Sequence, residues 1–415
     1  MEERQKARRQ ARAKERQRKR AENSASQKTG HNHLNILDND QSSTDPLQNN
    51  NSSYPQWSWD HIRPWTILRR DTSYPEDQVR QIAHHDIFII EKMTGWKTHG
   101  SNEAGSLEAA GAVKKYNPRI KTFFYLNAMI HYPGYEANNS FKNEWASRTC
   151  DGEKVFMFKQ RYKWYNHSNL EFREWWINRA LDIVSHDEMD GVFIDAIMKT
   201  SIRHFDCPDN EEAYFATATE LRRRLPEGKL LIGNALRPKT NSRVGGYGNI
   251  RHLQYLDGSY FEGWMGDADS IAQAIDLMSA ASKAGRLVLL NAGPAFKSKA
   301  DKTTIDSMKS INDRYAFMKK FIDFPLAIFL LAVEPYSYFS YHYNVDAKTG
   351  GRNGRAAFDC HRFQELTRKL GEPKGSYSKE DEYVYSREFD YISVWVNLKS
   401  REVKLMVKEV MHDEL

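Results

Sequence analysis

Two acidic residues stand at the ends of short apolar segments that are otherwise typical of buried β-strands. Asp195 closes residues 191–195 (GVFID), and Glu262 closes residues 258–262 (GSYFE). A strand that is covered on both faces should be continuously hydrophobic, so a carboxylate at its last position needs an explanation. In a parallel barrel of strands and helices, the carboxyl ends of the strands meet at the face that carries catalysis. The sequence therefore predicts that the two carboxylates meet in one cavity.

A pair of carboxylates in one cavity is what cleavage of a glycosidic bond requires. One carboxyl protonates the leaving oxygen, and the other stabilises or captures the positively charged sugar carbon. Asp and Glu suit both tasks because their surroundings can keep one of them protonated and the other ionised. We therefore expect Asp195 to act as nucleophile or electrostatic stabiliser and Glu262 as general acid/base. The alternative for each residue is a structural role, as a helix cap or an ion-pair partner.

Three further acids compete for these roles. Asp190 and Asp257 stand at the start of the same two segments, so stabilising roles at the opposite end of the barrel are expected for them. Asp267 follows Glu262 in a predicted loop, where either an exposed position or a contact with substrate is consistent with the sequence.

Polar and aromatic residues near the ends of other predicted strands suit a sugar-binding cleft, because amides donate and accept hydrogen bonds as sugar hydroxyls do. Lys92 closes the first predicted strand, where we favour it over Glu91 as the substrate-facing side chain. A buried ion pair is the structural alternative for Lys92. The predicted substrate-binding residues are Lys92, Tyr125, Asn127, His131, Asn234, Trp264, Asn291 and Tyr336. No HExxH or HxxxH spacing occurs, so no metal site is predicted, and no cofactor.

The segments between these residues alternate between strand-like and helix-like patterns. Eight predicted strands that alternate with helices favour a (β/α)8 barrel, an α/β fold. The strands are predicted at residues 85–91, 120–127, 156–165, 191–195, 229–233, 258–262, 286–291 and 326–333. The helices are predicted at residues 103–116, 170–185, 210–225, 270–284 and 304–321.

Outside the barrel, which is expected at residues 54–350, the sequence predicts two smaller parts. Residues 1–53 are expected to form a disordered basic and polar arm, since residues 1–22 carry ten Lys or Arg and four Glu. That segment accounts for the whole net charge of +6. Binding of nucleic acid or another polyanion by the arm is an alternative that we favour less. Residues 351–415 are expected to form a helix near 359–370 and two or three antiparallel strands at 382–408, packed on the barrel.

The ends of the chain carry conflicting signs of location. The first residues lack the apolar core of a secretory signal, so a cytoplasmic location is expected. The chain ends in His-Asp-Glu-Leu (412–415), which matches an ER retention signal and would indicate the ER lumen only together with an entry signal. No apolar run approaches the roughly 20 residues of a membrane span.

Seven segments, in their order along the chain, resemble the TIM-barrel glycoside hydrolases described as hypothetical glycosyl hydrolase family 15. They are FFYLNAMIHYPGY, YNHSNLEFREWW, DGVFIDAI, IGNAL, YFEGW, LLNAGP and YVYSREFDYISVWVN. A looser similarity is to barrels of the endo-α-polygalactosaminidase type. The resemblance covers about residues 57–400 and implies hydrolysis of glycosidic bonds, with Asp195 and Glu262 as the acids of strands four and six. His167 stands where relatives commonly have an Asp, and the resemblance does not identify the sugar.

Two other functions are consistent with the same barrel. A polysaccharide lyase would use a Tyr, His or Lys as base and would release unsaturated uronates. A non-catalytic barrel would bind saccharides or serve as a scaffold, with the basic arm attaching it to acidic partners. The leading interpretation is a glycoside hydrolase that acts on an oligo- or polysaccharide by means of two carboxylates.

Overall fold

The computed structural model describes residues 53–148, 152–154, 156–157, 162–201, 210–239, 242, 244–347 and 363–408. The arm predicted at 1–53 lies outside the described residues apart from Ser53, and so does the C-terminal tetrapeptide. The first part of the helix predicted near 359–370 also lies outside them. Its described part contains one 3-10 turn, Gln364–Leu366, in place of an α-helix.

Eight parallel strands form one sheet that closes into a barrel. They are β1 (Trp65–Leu68), β2 (Ile87–Ile90), β3 (Lys121–Asn127), β4 (Gly191–Asp195), β5 (Leu230–Gly233), β6 (Gly258–Phe261), β7 (Leu287–Ala292) and β8 (Ser337–Tyr341). Each strand pairs in parallel with the next one in chain order. β8 returns to β1 through the backbone bond from Phe339 N to Arg63 O, at 2.9 Å. The predicted (β/α)8 barrel is therefore confirmed.

Two of the eight predicted strands were wrong, and two real strands were missed. Within residues 156–165, Phe156–Met157 and Tyr162–Lys163 form a short antiparallel hairpin outside the barrel sheet. Residues 326–333 belong almost entirely to a helix whose residues from Phe324 to Ala332 are all buried, so its apolar run resembles that of a buried strand. The missed strands are β1 and β8. The missed strand β1 and the wrongly predicted strand at 156–165 offset each other in the count. Asp195 therefore still ends the fourth strand, and Glu262 directly follows the sixth.

The helices lie between the strands. They are α1 (Glu76–Ile82), α2 (Trp96–His99), α3 (Asn102–Tyr116), α4 (Leu170–Val184), α5 (Asn210–Arg224), α6 (Ala268–Lys283), α7 (Lys299–Ser307), α8 (Ile311–Lys319) and α9 (Asp323–Ala332). The predicted helices are confirmed, except that residues 304–321 are divided between α7 and α8. None of the described helices combines the length and the apolar composition that crossing a bilayer would need.

Alternate residues of the strands fill the interior of the barrel with large apolar side chains. This cluster comprises Tyr54, Trp65, Ile67, Ile87, Ile89, Phe123, Tyr125, Phe193, Leu230, Ile232, Tyr260, Leu287, Leu289 and Tyr338. The Tyr54 hydroxyl donates to the carbonyl of Asp257, which precedes β6, so Tyr54 covers the amino-terminal end of the barrel. The filled interior leaves polar side chains room only at the two ends.

Asp190 and Asp257 stabilise the amino-terminal end of the barrel. Asp190 pairs with Lys114 at 2.7 Å and accepts from the backbone N–H of Thr122 at 2.9 Å. Asp257 pairs with Arg222 at 2.6 Å and has no exposed side-chain surface. The structural roles expected for the two acids are confirmed, because each of them ties its own strand to a neighbouring element.

The C-terminal residues form a separate antiparallel sheet of four strands, where two or three were predicted. The strands are β9 (Ser378–Asp381), β10 (Val384–Glu388), β11 (Ile392–Asn397) and β12 (Glu402–Val407). Arg387 of β10 connects this sheet to the C-terminal end of α9. Its guanidinium donates to the carbonyls of Leu331 at 2.9 Å and Val333 at 2.6 Å, and it pairs with Glu334 at 3.1 Å.

Replacing Arg387 with Met should destabilise the fold by about 2 to 4 kcal/mol, because it leaves buried carbonyls and Glu334 without their donor. The Arg387 side chain is only 1% exposed. The measurement is the midpoint of urea unfolding. Arg223→Met is the matched control, since its ion pair with Glu220 lies on the surface of α5, where the arginine is 71% exposed, and should change stability by less than about 0.5 kcal/mol. Equal midpoints for the two variants would contradict the connecting role of Arg387.

Candidate active site

Three hydrogen-bond donors surround Asp195, the last residue of β4. The Tyr125 hydroxyl donates to Oδ2 at 2.5 Å, and the Asn234 amide donates to Oδ1 at 2.9 Å. The third donor is the backbone N–H of Ala196, at 2.7 Å from Oδ1. Ala196 itself has a positive φ of 66°, which turns the chain sharply after the strand. The carboxylate is therefore held in one orientation.

Glu262 follows β6 directly and lies beside Asp195. Its Oε1 accepts from the amide of Asn234 at 3.0 Å and from the guanidinium of Arg237 at 2.9 Å. Its Oε2 accepts from the Tyr260 hydroxyl at 2.9 Å. The Glu262 side chain remains 43% exposed, so it faces the open side of the site.

The amide nitrogen of Asn234 joins the two carboxylates. It donates to one oxygen of Asp195 at 2.9 Å and to one oxygen of Glu262 at 3.0 Å. Two oxygens that share one donor at these distances lie within about 6 Å of each other. The structure thus brings together two acids that are far apart in the chain.

Lys92, which follows β2, supplies positive charge next to Asp195. Its ammonium group pairs with the carboxylate of Glu91 and lies 4.6 Å above the ring of Tyr125 and 5.1 Å from that of Tyr132. The structure thus shows the buried ion pair that was the structural alternative for Lys92, and it places this ion pair beside Asp195. Contact of Lys92 with substrate stays a prediction. Burial acts to lower the pKa of Lys92, but the charges of Glu91 and Asp195 outweigh it and raise that pKa.

The surroundings of Asp195 favour its ionised form. Burial acts to raise its pKa, but the charge of Lys92 and the hydrogen bonds from Tyr125 and Asn234 outweigh burial, so the pKa lies below its ordinary value. Asp195 is therefore a carboxylate at neutral pH, which suits a nucleophile or a stabiliser of positive charge.

Each of the two acids is held by a buried tyrosine, which in turn is held by an asparagine. Asn127 donates to the Tyr125 hydroxyl at 2.9 Å, and Asn291 donates to the Tyr260 hydroxyl at 2.7 Å. Burial raises the pKa of both phenols well above its ordinary value, and the neighbouring carboxylates add to this effect. Both hydroxyls therefore keep their protons and remain donors.

Five of the eight predicted substrate-binding residues lie in this network: Lys92, Tyr125, Asn127, Asn234 and Asn291. Trp264 is next to it but only 1% exposed, and its indole N–H donates to the carbonyl of Asn291 at 3.0 Å. Trp264 therefore supports the end of β7 and does not present a ring face to solvent.

The structure does not bring His131 and Tyr336 to the two acids. The His131 ring packs at 4.2 Å from that of Phe141, and burial lowers its pKa to about 4. Tyr336 immediately precedes β8 and packs on Tyr54 at the amino-terminal end of the barrel, opposite the site. Its expected place in the cleft depended on a strand at 326–333, which is a helix.

Four residues of the site were missed in the sequence: Tyr132, Lys199, Arg237 and Tyr260. Tyr260 could have been found, because it lies two residues before Glu262 on the same strand and so shares its face. Tyr132 and Arg237 lie in loops, and Lys199 ends a single 3-10 turn, Ile197–Lys199. No periodicity indicates direction in segments of these kinds. Burial lowers the pKa of Lys199 although Asp195 and Glu262 attract its charge.

Two other sequence candidates have structural roles. Asp267 caps α6 by accepting from the backbone N–H of Ser270 at 2.9 Å, and its exposed carboxylate pairs with Lys239. His167 is fully buried, where its ring contacts the Ala128 carbonyl at 2.6 Å and burial lowers its pKa to about 3. Over the part of the chain that the structure describes, no group of three or more His, Cys, Asp or Glu is arranged to hold a metal ion.

A comparison with protein families decides the family of the chain. The model described as "Hypothetical glycosyl hydrolase family 15" matches residues 114–392, which include Asp195, Asn234 and Glu262. The chain belongs to this family. Membership supports cleavage of glycosidic bonds as its general activity. No curated protein matches the sequence.

Similar solved structures include several carbohydrate-active enzymes, all at low identity. An α-amylase from Geobacillus thermoleovorans has 12% identity and a TM-score of 0.46, with 82% of this chain and 87% of that chain covered. The glycoside hydrolase domain of PelA from Pseudomonas aeruginosa has 11% identity and a TM-score of 0.39, with 59% and 89% covered. An α-galactosidase from Thermus thermophilus has 14% identity and a TM-score of 0.35, with 56% and 49% covered. The chain thus spans about half the length of that galactosidase.

Replacing Lys92 with Met should raise the pKa of Asp195, because the strongest influence opposing burial is then removed. The measurement is a pH titration of the Asp195 carboxyl carbon by 13C NMR. The pKa of Asp195 is lower in the folded wild type than the ordinary Asp value of about 4, so ionisation of Asp195 stabilises the fold above that ordinary value. This stabilisation is lost as the pH falls through the lowered pKa. Lys97→Met is the control, because Lys97 pairs with Asp71 on the surface and is 54% exposed. A titration curve unchanged by Lys92→Met would show that Lys92 does not determine the charge of Asp195.

Proposed function

We propose that the protein is a retaining glycoside hydrolase that cleaves O-glycosidic bonds of an oligo- or polysaccharide, with Asp195 as nucleophile and Glu262 as general acid/base. The observation that carries this proposal is the sharing of one amide nitrogen, that of Asn234, by the two carboxylates. Membership in a glycosyl hydrolase family supports cleavage of glycosidic bonds in general.

The proposed reaction has two steps. In the first, an oxygen of Asp195 bonds to the anomeric carbon while the bond from that carbon to the leaving oxygen breaks, and Glu262 gives its proton to the leaving oxygen. In the second, Glu262 takes a proton from a water molecule whose oxygen attacks the same carbon. The bond to Asp195 then breaks, and both carboxyl groups return to their initial states.

The assignment of roles follows from the surroundings of the two acids. The nucleophile must be ionised, and the lowered pKa of Asp195 meets this requirement. The acid/base must reach both the leaving group and a water molecule, and Glu262 is the partly exposed acid of the pair. When Glu262 is protonated, Arg237 keeps an acceptor in the Asn234 amide oxygen, at 2.6 Å. Arg237 therefore remains hydrogen-bonded in both protonation states of Glu262.

The spacing of the acids supports retention of the anomeric configuration. Retaining enzymes hold the two carboxyl groups about 5 to 5.5 Å apart, whereas inverting enzymes separate them by about 6.5 to 9.5 Å to admit a water molecule. The two carboxylate oxygens that share the Asn234 amide lie within about 6 Å of each other, which is below the separation of inverting enzymes.

Incubation of the protein with a panel of polysaccharides should release reducing sugars, and Asp195→Asn should reduce the rate at least about 1,000-fold because no nucleophile remains. Glu262→Gln should reduce it about 100- to 10,000-fold on natural linkages. Asp267→Asn is the matched control, since this acid lies five residues from Glu262 but serves as a helix cap, and it should keep nearly full activity. Wild-type rates in Asp195→Asn would remove this residue from the mechanism, and products that absorb as unsaturated uronates would indicate a lyase instead.

The first product formed should have the anomeric configuration of the substrate. The measurement is 1H NMR of the anomeric proton during the first minutes of hydrolysis, before mutarotation mixes the anomers. Appearance of the opposite anomer would show inversion and would exclude a covalent intermediate on Asp195.

A further inference from the structure

A row of hydrogen bonds reaches Glu262 from the neighbouring strand β7. Asn291 donates to the Tyr260 hydroxyl at 2.7 Å, and this hydroxyl donates to Oε2 of Glu262 at 2.9 Å. The indole N–H of Trp264 donates to the backbone carbonyl of Asn291 and so helps to fix the position of Asn291. None of these three residues carries a charge at neutral pH, so the row determines orientation with little effect on the net charge of the site.

The amide of Asn291 has a feature that its bond to Tyr260 does not explain. Its oxygen, Oδ1, is buried and has no hydrogen-bond partner among the described residues. A buried amide oxygen without a partner is costly, so it calls for an explanation. Because the two ends of an amide are nearly equal in shape, turning the group over would present this oxygen to the Tyr260 hydroxyl in place of the nitrogen.

We propose that Tyr260 and Asn291 are positioning residues that hold the Glu262 carboxyl in place in both of its protonation states. The inference rests on the proposed function, in which Glu262 gains and loses a proton in every turnover. A hydroxyl can either donate or accept a hydrogen bond, and an amide carries one group of each kind. The Tyr260 hydroxyl and the Asn291 amide can therefore exchange their donor and acceptor roles without any movement of the Glu262 carboxyl.

The two states differ only in the direction of the hydrogen bonds. With Glu262 ionised, Asn291 donates to Tyr260 and Tyr260 donates to Oε2. With Glu262 protonated on Oε2, the carboxyl donates to Tyr260, and the phenol proton turns to Oδ1 of the inverted Asn291 amide. No proton is gained or lost by the row itself, and the high pKa of the buried Tyr260 keeps its proton in place.

Tyr125 provides the matched comparison within the same site. It donates to Asp195 as Tyr260 donates to Glu262, and it accepts from Asn127 as Tyr260 accepts from Asn291. The oxygen of Asn127, however, already accepts from the backbone N–H groups of Met129 and Ile130. The Asn127 amide is therefore held in one orientation, as suits a carboxylate that stays ionised between turnovers.

The kinetic experiment compares Tyr260→Phe and Tyr125→Phe on two glycosides of the sugar that the wild type releases. The dinitrophenyl glycoside needs no proton for departure of its leaving group, whereas the methyl glycoside does. For Tyr260→Phe, kcat/KM should fall about 10- to 100-fold on the methyl glycoside and less than about 3-fold on the dinitrophenyl glycoside. On the latter, kcat and KM should fall together because the second step still needs a base.

Tyr125→Phe should reduce kcat/KM by similar factors on the two glycosides, since a nucleophile is needed for both. Asn291→Leu should reproduce the pattern of Tyr260→Phe, because it removes the amide that reverses the row. An equal loss for Tyr260→Phe on the two glycosides would overturn the proposal. Wild-type kinetics in Asn291→Leu would overturn the positioning role proposed for the Asn291 amide.

Crystal structures of the wild type and of Tyr260→Phe test the positioning role without any substrate. In the variant, the Glu262 carboxyl should turn away from the Asn234 amide, with the barrel strands unchanged. A carboxyl that keeps its place would overturn the proposal even if the enzyme were active. If instead the wild type released no sugar from any polysaccharide while the carboxyl turned as expected, the proposed function would fail and the positioning role would stand.

Discussion

The amide nitrogen of Asn234 lies between two carboxylates that would otherwise repel each other. Two unit negative charges about 6 Å apart repel by about 3 kcal/mol at the effective dielectric constant of a partly buried site. The shared donor offsets part of this repulsion, and the cations offset more, Lys92 at Asp195 and Arg237 at Glu262. The site therefore depends on an arrangement in which the two acids are close and neighbouring donors and cations offset their repulsion.

The barrel makes this arrangement rigid. Its interior is filled by large side chains, among which Tyr125 and Tyr260 project their hydroxyls toward the carboxyl ends of the strands. A phenol on a packed ring has little freedom to turn, so each hydroxyl determines the orientation of the acid that it contacts. The same apolar core that stabilises the fold thus supplies donors to the site, while the acids at the amino-terminal end, Asp190 and Asp257, stabilise the strands.

The wrong strand predicted at residues 326–333 and the missed strand β8 have one physical cause. Helix α9 is buried from Phe324 to Ala332, so its sequence after Asp323 has no polar face to distinguish it from a buried strand. Strand β8 (SYFSY) contains two serines among its aromatic residues, and these serines are buried all the same. A local sequence pattern indicates how far a segment is buried. The neighbours that bury it depend on the packing of the whole barrel. The strands near Asp195 and Glu262 were predicted well because their apolar runs are short and end abruptly in a charge.

The sequence by itself determined the alternation of strands and helices, the two acids at strand ends, and three asparagines at equivalent positions. These features follow from local chemistry, since a strand end in a parallel barrel faces the catalytic side wherever the strand lies. Only the tertiary structure decided that Tyr132, Lys199 and Arg237 lie at the site and that His131 and Tyr336 do not. Loop direction and contacts between distant strands result from the packing of the complete chain, which no local pattern encodes.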